Sequence, residues 1–403
     1  MKALVPVGRP SHLRHTNALT VLRLLREAGS CSRADLVRAS GLSAPTVTNV
    51  VGDLLALDLI KTLGEGESSG GRPPDLISFK AERGCLLAVQ ITAQSLSFLL
   101  TDLSGAEKAT SAVSLAGHKT TPETVCHLIG VETRRLLKKQ TIAWEQLLVL
   151  VVAVPDITNV NDGIVVSVST LENWRSVPLR SLLNKIVECR VIVENDTNLA
   201  ALGERHCGAA RLEESFTLIN IGVNVSAGIV LGGRLHHGAQ WSAGEIAYLR
   251  VPTITHRLPR LHEFGELESV LTTSAILQEW NASLVDQHSK EAPAQEESDV
   301  VKILDRAQTG DPKAAEIIKT RAAIVSDIIM NLALILNPGL ILLGGEIGSH
   351  PILLTSVQEE LVLSEFAVTR IAAATLGELA VRWGAIAVAL EKIPLVLLPQ
   401  PRD

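Results

Sequence analysis

Two groups of residues in this chain have the types and spacing to do chemistry. The first is Glu194-Asn195-Asp196, set between the apolar stretch Val191–Val193 and the helix-forming stretch Thr197–Gly203. A carboxylate at a strand-to-helix junction faces the region where open α/β sheets bind ligands. There it can accept hydrogen bonds from two sugar hydroxyls or take a proton from an attacking one. Without a ligand, the same Asp196 is a helix cap. The second group is Ser43, which caps a helix, with Thr46, Thr48 and Asn49 on the face opposite Val47, Val50, Leu54 and Leu55. Short polar side chains presented this way reach base edges in a DNA major groove.

The elements around the second group read as a winged helix-turn-helix over residues 1–80. Leu19, Leu22, Leu24 and Leu25 give Thr16–Ala28 a helical stripe that Gly29 ends. Ser32–Ala39 forms a second helix, with Ser32 as N-cap and Asp35 three residues on, and Gly41 breaks the chain before the Ser43 helix. Pro45 sits in that helix's first turn, where proline is tolerated. Ile60–Leu63 and Leu76–Phe79 are the strands of a wing whose tip runs through Gly70-Gly71-Arg72-Pro73, and Arg72 is its natural phosphate or minor-groove contact. Residues 1–80 hold 10 Lys and Arg against 7 Asp and Glu, whereas the remaining 323 hold 27 against 36. A mildly basic head on an acidic body suits a module that touches phosphate while the body stays clear.

From Gly84 the pattern changes to α/β. Strands at Cys85–Ile91, Leu96–Leu103 and Thr110–Leu115 precede a helix at Pro122–Lys139 and a buried strand at Leu147–Val154. The order returns with strands at Phe216–Ile221 and Ser226–Leu231, a helix at Asp311–Leu336 and a strand at Leu340–Leu343. A β-β-β-α-β order met twice predicts a duplicated, two-lobed body with a ligand between the lobes. Val285–Asp299, acidic and Gln-rich, reads as an exposed loop. Cys31, Cys85, Cys126, Cys189 and Cys207 are scattered without a CxxC pair, which gives neither a disulfide framework nor a zinc knuckle and points to the reducing cytoplasm. Residues 1–10 lack the apolar run of a signal peptide, and no apolar run is long enough to span a bilayer.

Taken together, Gly70-Gly71-Arg72-Pro73, Glu194–Ala201, Gly238–Ile246 and Leu336-Asn337-Pro338 leading to Gly344-Gly345-Glu346 make the chain resemble a regulator of the ROK family. Members place a winged helix before a sugar-kinase-like body of actin/hexokinase (ribonuclease H-like) fold. The resemblance implies a first lobe over 81–196 and a second over 197–403, with the C-terminal helix returning to the first. It also implies sugar contacts at Asn173, Asn195, Asp196, Glu245, Tyr248 and Glu268. Tyr248 stands where the family has a zinc- and sugar-binding His. Pro259, Leu261 and Glu266 stand where it has three zinc-binding Cys, so the family zinc site is lost, and His256 and His262 nearby read as surface residues.

The kinase motifs are damaged too. The segment around Val89-Gln90-Ile91-Thr92 lacks the family's Asp and Gly, and Gly222-Val223-Asn224-Val225-Ser226 keeps one glycine of the phosphate turn. Asp156 replaces a family Gly after Val154-Pro155 and adds charge near the cleft. No cofactor is therefore expected. The reading is a cytoplasmic, sugar-responsive repressor that binds operator DNA as a homodimer or dimer of dimers, since one recognition helix reads too few base pairs. The rivals are a regulator answering to a protein partner and a sugar kinase with a DNA-binding head.

Overall fold

The computed structural model describes residues 10–65, 75–168, 170–251, 265–287, 297–362 and 369–398. Its first unit is a winged helix-turn-helix built of α1 (Pro10–Ala28), β1 (Ser30–Ser32), α2 (Arg33–Ser40), α3 (Ala44–Ala56), β2 (Ile60–Glu65) and β3 (Asp75–Phe79). The three strands form one antiparallel sheet in the order β1-β3-β2. Ser32 caps α2 in a reciprocal box with Asp35, whose carboxylate accepts the Ser32 N–H at 2.9 Å, and Gly41, at φ 68°, stops it. Ser43 caps α3 by accepting the Thr46 N–H at 3.3 Å. The buried face of α3 is Val47, Val50, Val51 and Leu54. Leu55, expected there, is only half-buried, because Val51 completes the i, i+3, i+4, i+7 stripe.

The body has the two-lobed α/β fold that the repeated element order predicts. The first lobe contains β4 (Cys85–Ile91), β5 (Ser95–Asp102), β6 (Glu107–Ser114), α4 (Pro122–Lys139), β7 (Leu147–Val154), the short strands β8 (Thr158–Asn159), β9 (Ile164–Ser167) and β10 (Arg175–Val177), α5 (Leu179–Leu183) and β11 (Arg190–Asn195). Its main sheet runs β11-β7-β4-β5-β6. After α6 (Asp196–Cys207) the second lobe supplies β12 (Phe216–Ile221), β13 (Val225–Leu231), β14 (Arg234–Leu235), α7 (Glu268–Leu271), α8 (Thr273–Gln287), α9 (Val300–Gln308), α10 (Pro312–Leu336), β15 (Leu340–Gly344), α11 (Gly345–Gly348), α12 (Pro351–Val362) and β16 (Arg370–Ala373). Its sheet, β14-β13-β12-β15-β16, repeats the first: a meander on one side and parallel strands on the other. β7 and β15 read as continuous apolar runs because each is a central parallel strand covered on both faces. The acidic segment expected as a loop from Val285 is helical as far as Gln287, where α8 ends.

The last helix, α13 (Ala380–Leu397), packs on β4, β7 and α6. Its Ala385, Ile386, Ala389, Leu390 and Ile393 belong to one buried cluster with Leu86, Ala88, Val149 and Val151 of the first lobe and Val21, Leu22 and Leu25 of α1. Head and body therefore share a core. Among the described residues no helix is long and apolar enough to cross a membrane.

Candidate functional site

The site is built at the junction of β11 and α6. β11 runs parallel to β7 in a register that places Asn195 opposite Val154, so both strands end at one edge of the sheet. Asn195 is the N-cap of α6 and accepts the Asn198 N–H at 2.9 Å; Asp196 is the first helical residue. Capping thus falls to Asn195, and the Asp196 carboxylate, which accepts the Thr197 N–H at 2.7 Å, is left with further acceptor capacity. The Asn195 side-chain amide donates to the carbonyl of Asp156 at 3.0 Å, and Asp156 is held at φ 61°, a left-handed conformation unusual for a residue with a Cβ.

From the second lobe come Glu245, Tyr248 and Glu268. Gly244, at φ 95°, lies so close to β13 that a Cβ would overlap the Ala227 carbonyl oxygen, while its own carbonyl accepts the Ala227 N–H at 2.8 Å. That contact fixes the turn presenting Glu245. Glu268, at the start of α7, accepts N–H groups from Gly265 at 3.1 Å and Val225 at 3.4 Å.

Electrostatics show that these groups converge. Burial pushes Asp196 up to about 7, with the Asp156 charge adding to it. Glu245 is likewise pushed up to about 7 by burial, then by Asp156, Asp196 and Glu268. Burial also raises Glu268, and it raises Tyr248 to about 12 with Glu268, Glu245 and Asp156 contributing. Asp156, Asp196, Glu245 and Glu268, all partly buried, thus lie near enough for their charges to act on one another or on the Tyr248 phenol.

These shifts carry a stability consequence. An acid with a raised folded pKa binds more protons folded than unfolded between its two values, so stability falls as pH rises through that interval. Asp196 and Glu245 define a window from about 4 to about 7. The protein is expected to melt higher at pH 5.5 than at pH 8, and Asp196→Asn with Glu245→Gln should flatten that slope. Equal pH dependence of melting in the wild type and the double variant would contradict the convergence.

The remaining sequence candidates are placed differently. Asn173 is exposed at φ 63°, and among the described residues no hydrogen bond or ion pair ties it to the carboxylates. Its neighbour Trp174 is buried, its indole N–H donating to the Thr120 carbonyl at 2.6 Å. Thr48 and Asn49 are exposed on α3; Thr46 is half-buried, its hydroxyl 2.8 Å from that of Ser43. Arg72 and the rest of the wing tip lie outside the described residues, as do Pro259, Leu261, His256 and His262.

One pair escaped the sequence reading. Glu194, 6% exposed, accepts the Asn195 N–H at 2.8 Å and the Asn198 side-chain amide at 3.1 Å, and its second oxygen meets His237 Nε2 at 2.8 Å. This contact holds the His237 pKa above its ordinary value. His237 thereby braces the β11–α6 junction from the second lobe, while its ring meets Trp241 edge-on at 5.6 Å. A Glu immediately before the Asn-Asp pair was the available signal, but its partner lies 43 residues away.

The segments that resemble the family's phosphate turns are placed as follows. Val223 in the turn after β12 is 74% exposed, and Glu346 at the neighbouring Gly344-Gly345 turn is exposed with its carboxylate accepting the Thr273 hydroxyl at 2.6 Å. A zinc site of the family type finds a poor donor set: Tyr248 replaces the imidazole and no thiolate remains.

The ROK family's sequence pattern matches residues 86–392. The xylose repressor of Bacillus spizizenii is 24% identical over 366 residues, which is 88% of either chain. A crystal structure of a ROK family transcriptional regulator, a homolog of the Escherichia coli MLC protein, superimposes with a TM-score of 0.80 at 23% identity, covering 96% of this chain and 99% of that one. A ROK family glucokinase from Streptomyces griseus, solved with glucose and AMPPNP, gives 0.61 at 21% identity over 76% of this chain and 99% of its own.

Proposed function

The chain belongs to the ROK family, and on that premise we propose that it is a DNA-binding transcriptional repressor whose body senses a monosaccharide. What supports this reading is that Asp156, Asp196 and Glu268 act electrostatically on Glu245, that Asp156, Glu245 and Glu268 act on Tyr248, and that Asn195 donates to the carbonyl of Asp156 beside them. Carboxylates and a cap amide suit the hydroxyls of a sugar, and the Asp196 carboxylate, which accepts the Thr197 N–H, keeps further acceptor capacity. The relatives named above add weight, because a full-length relative is a xylose repressor. Asn173 belongs to the proposed contact set only through a loop that closes over the ligand. In the head, Ser43, Thr46, Thr48 and Asn49 read base edges and Arg72 holds the backbone, with two copies of the chain reading two half-sites. Sugar binding favours an arrangement of the heads that no longer matches the operator.

We further propose that the body uses neither ATP nor zinc and catalyses no phosphoryl transfer. The missing carboxylate near Gln90, the Val223 side chain and the Glu346 charge all oppose a bound triphosphate.

The test is a thermal-shift screen of the full chain against D-xylose, D-glucose, N-acetylglucosamine, their phosphates and Mg-ATP. A ligand at a hundred times its dissociation constant stabilises by about 2.7 kcal/mol. One free sugar is expected to raise the melting temperature while Mg-ATP leaves it unchanged. No response to any sugar would transfer the role of effector to a protein partner, and a response to Mg-ATP with sugar-dependent ADP release would revive the kinase.

A further inference from the structure

Helix α6 touches two places at once. Its first turn holds the Asn195–Asp196 site, and the last turn of this helix, about 18 Å long at 1.5 Å per residue, carries His206, which feels the charge of Arg26 in the head. Between them it is clamped where glycines allow the closest approach. A Cβ on Gly228 of β13 would come within 2.7 Å of Ala201 Cβ and of the Thr197 carbonyl oxygen. On the opposite side Gly203 of α6 and Gly384 of α13 cross so closely that a Cβ on either would overlap a backbone carbonyl oxygen, that of Ala380 or of Leu199. Backbone packed on backbone has no rotamers with which to absorb a displacement, so α6 and α13 move together.

Helix α13 carries a built-in vacancy in its hydrogen bonding. Pro394 lies inside it, and proline has no N–H to give to the carbonyl four residues earlier, that of Leu390. That carbonyl instead accepts from Nη1 of Arg26, a half-buried residue of α1 in the head. The neighbourhood is arranged around this guanidinium. Burial lowers the pKa of this guanidinium, with Glu27 and Glu391 opposing the shift and Arg23 adding to it. His206, in the last turn of α6, stacks on Trp383 of α13 at 6.5 Å and 29°, and burial, Arg211 and Arg26 together hold its pKa below the ordinary value. Arg26, His206 and Trp383 therefore bring α1, α6 and α13 to one point.

We propose that Arg26, latched onto the carbonyl that Pro394 leaves free, is the positioning residue through which occupancy of the α6 site reaches the DNA-binding head. The shared core of α1 and α13 holds the head in contact, and the latch fixes its angle. A shift of α6 is carried across the Gly203–Gly384 crossing to Leu390 and from there to Arg26. The sugar-responsive half of this proposal rests on the function proposed above.

The test uses two variants that break the latch by opposite routes. Arg26→Gln removes the donor. Pro394→Ala keeps Arg26 but supplies a helical N–H to Leu390, so the helix competes for its own carbonyl. DNA affinity is measured on a duplex selected by the wild type from a randomised pool, with and without whichever of D-xylose, D-glucose or N-acetylglucosamine shifts wild-type melting. Both variants are expected to bind the sugar within twofold of the wild type, while the several-fold effect of sugar on DNA affinity collapses to less than twofold. Arg26→Lys, which can still donate to Leu390, should restore part of it. A full sugar effect in both variants would overturn the latch.

A second arm needs no sugar and separates the latch from the sugar reading. Gly384→Ala wedges the crossing and should raise hydrogen exchange in Val21–Ala28 severalfold when Arg26 is present. With Arg26→Gln in the same chain the wedge should add less than twofold. Equal increments in the two backgrounds would refute the latch even if a sugar effector were established, whereas a wild type indifferent to every sugar would defeat only the sugar reading.

Discussion

Glu204→Ala is expected to destabilise the body clearly, lowering its stability by roughly 1–3 kcal/mol. The Glu204 side chain is fully buried, yet it is saturated with donors. It accepts the N–H groups of Ala209 at 2.7 Å, Thr375 at 2.9 Å and Leu376 at 2.8 Å, and the Thr375 hydroxyl at 3.1 Å. One carboxylate near the end of α6 thus satisfies the turn that leaves that helix and the segment that precedes α13, which lies 171 residues further along the chain. Alanine would remove the acceptor of three amide donors, two on the exposed residues Ala209 and Thr375 and one on half-buried Leu376, and a buried donor left without a partner costs about 1–3 kcal/mol. Glu204→Gln should fall in between, because its NH2 group confronts donors. Denaturant unfolding of the three proteins checks the order. A loss under about 1 kcal/mol for the alanine variant would mean that water reaches these amides.

Asp196→Asn is expected to weaken sugar binding by a hundredfold or more while leaving the fold intact. An ionised carboxylate accepting two hydroxyls makes two charge-assisted hydrogen bonds, each worth about 1.5–3 kcal/mol, and an amide keeps one weaker acceptor. The substitution preserves shape and removes a charge that is already held at a cost, since burial has raised its pKa to about 7. Stability above neutral pH should therefore be unchanged or slightly higher, which separates lost binding from lost folding. Calorimetric titration with the effector found by the screen measures the change. Affinity within threefold of the wild type would remove Asp196 from the ligand contacts and leave Glu245 and Glu268 as the acceptors to test.

How much of this was legible in the sequence depended on the range of the interaction. β4, α4, β7 and β12 begin and end where periodicity and turn residues place them, because each is bounded by a local signal such as the Thr121 cap before Pro122. The Ser32–Asp35 box and the Ser43 cap were equally plain, being contacts over three residues. The short strand β1 was not, since its partner β3 lies more than forty residues on and three residues carry no period. The carboxylate site was legible only through family resemblance: nothing in local pattern says that Asp196, Glu245 and Glu268 meet. The Glu194–His237 pair and the Arg26–Leu390 bond were invisible for the same reason, the latter spanning 364 residues. The one hint was Pro394 inside an otherwise helical apolar run, which announces an orphaned carbonyl without saying what fills it.

The core that α1 shares with α13 also orders events in biosynthesis. Val21, Leu22 and Leu25 are made some 360 residues before Ala385–Ile393. At about 5–20 residues per second, the apolar flank of the head waits on the order of twenty seconds or more for its cover. During that interval the head has its own packing of α1 on α2, α3 and β3 but not yet the part of its core that α13 completes. A head made before α13 therefore lacks the contact with Leu390 that Arg26 makes in the finished fold.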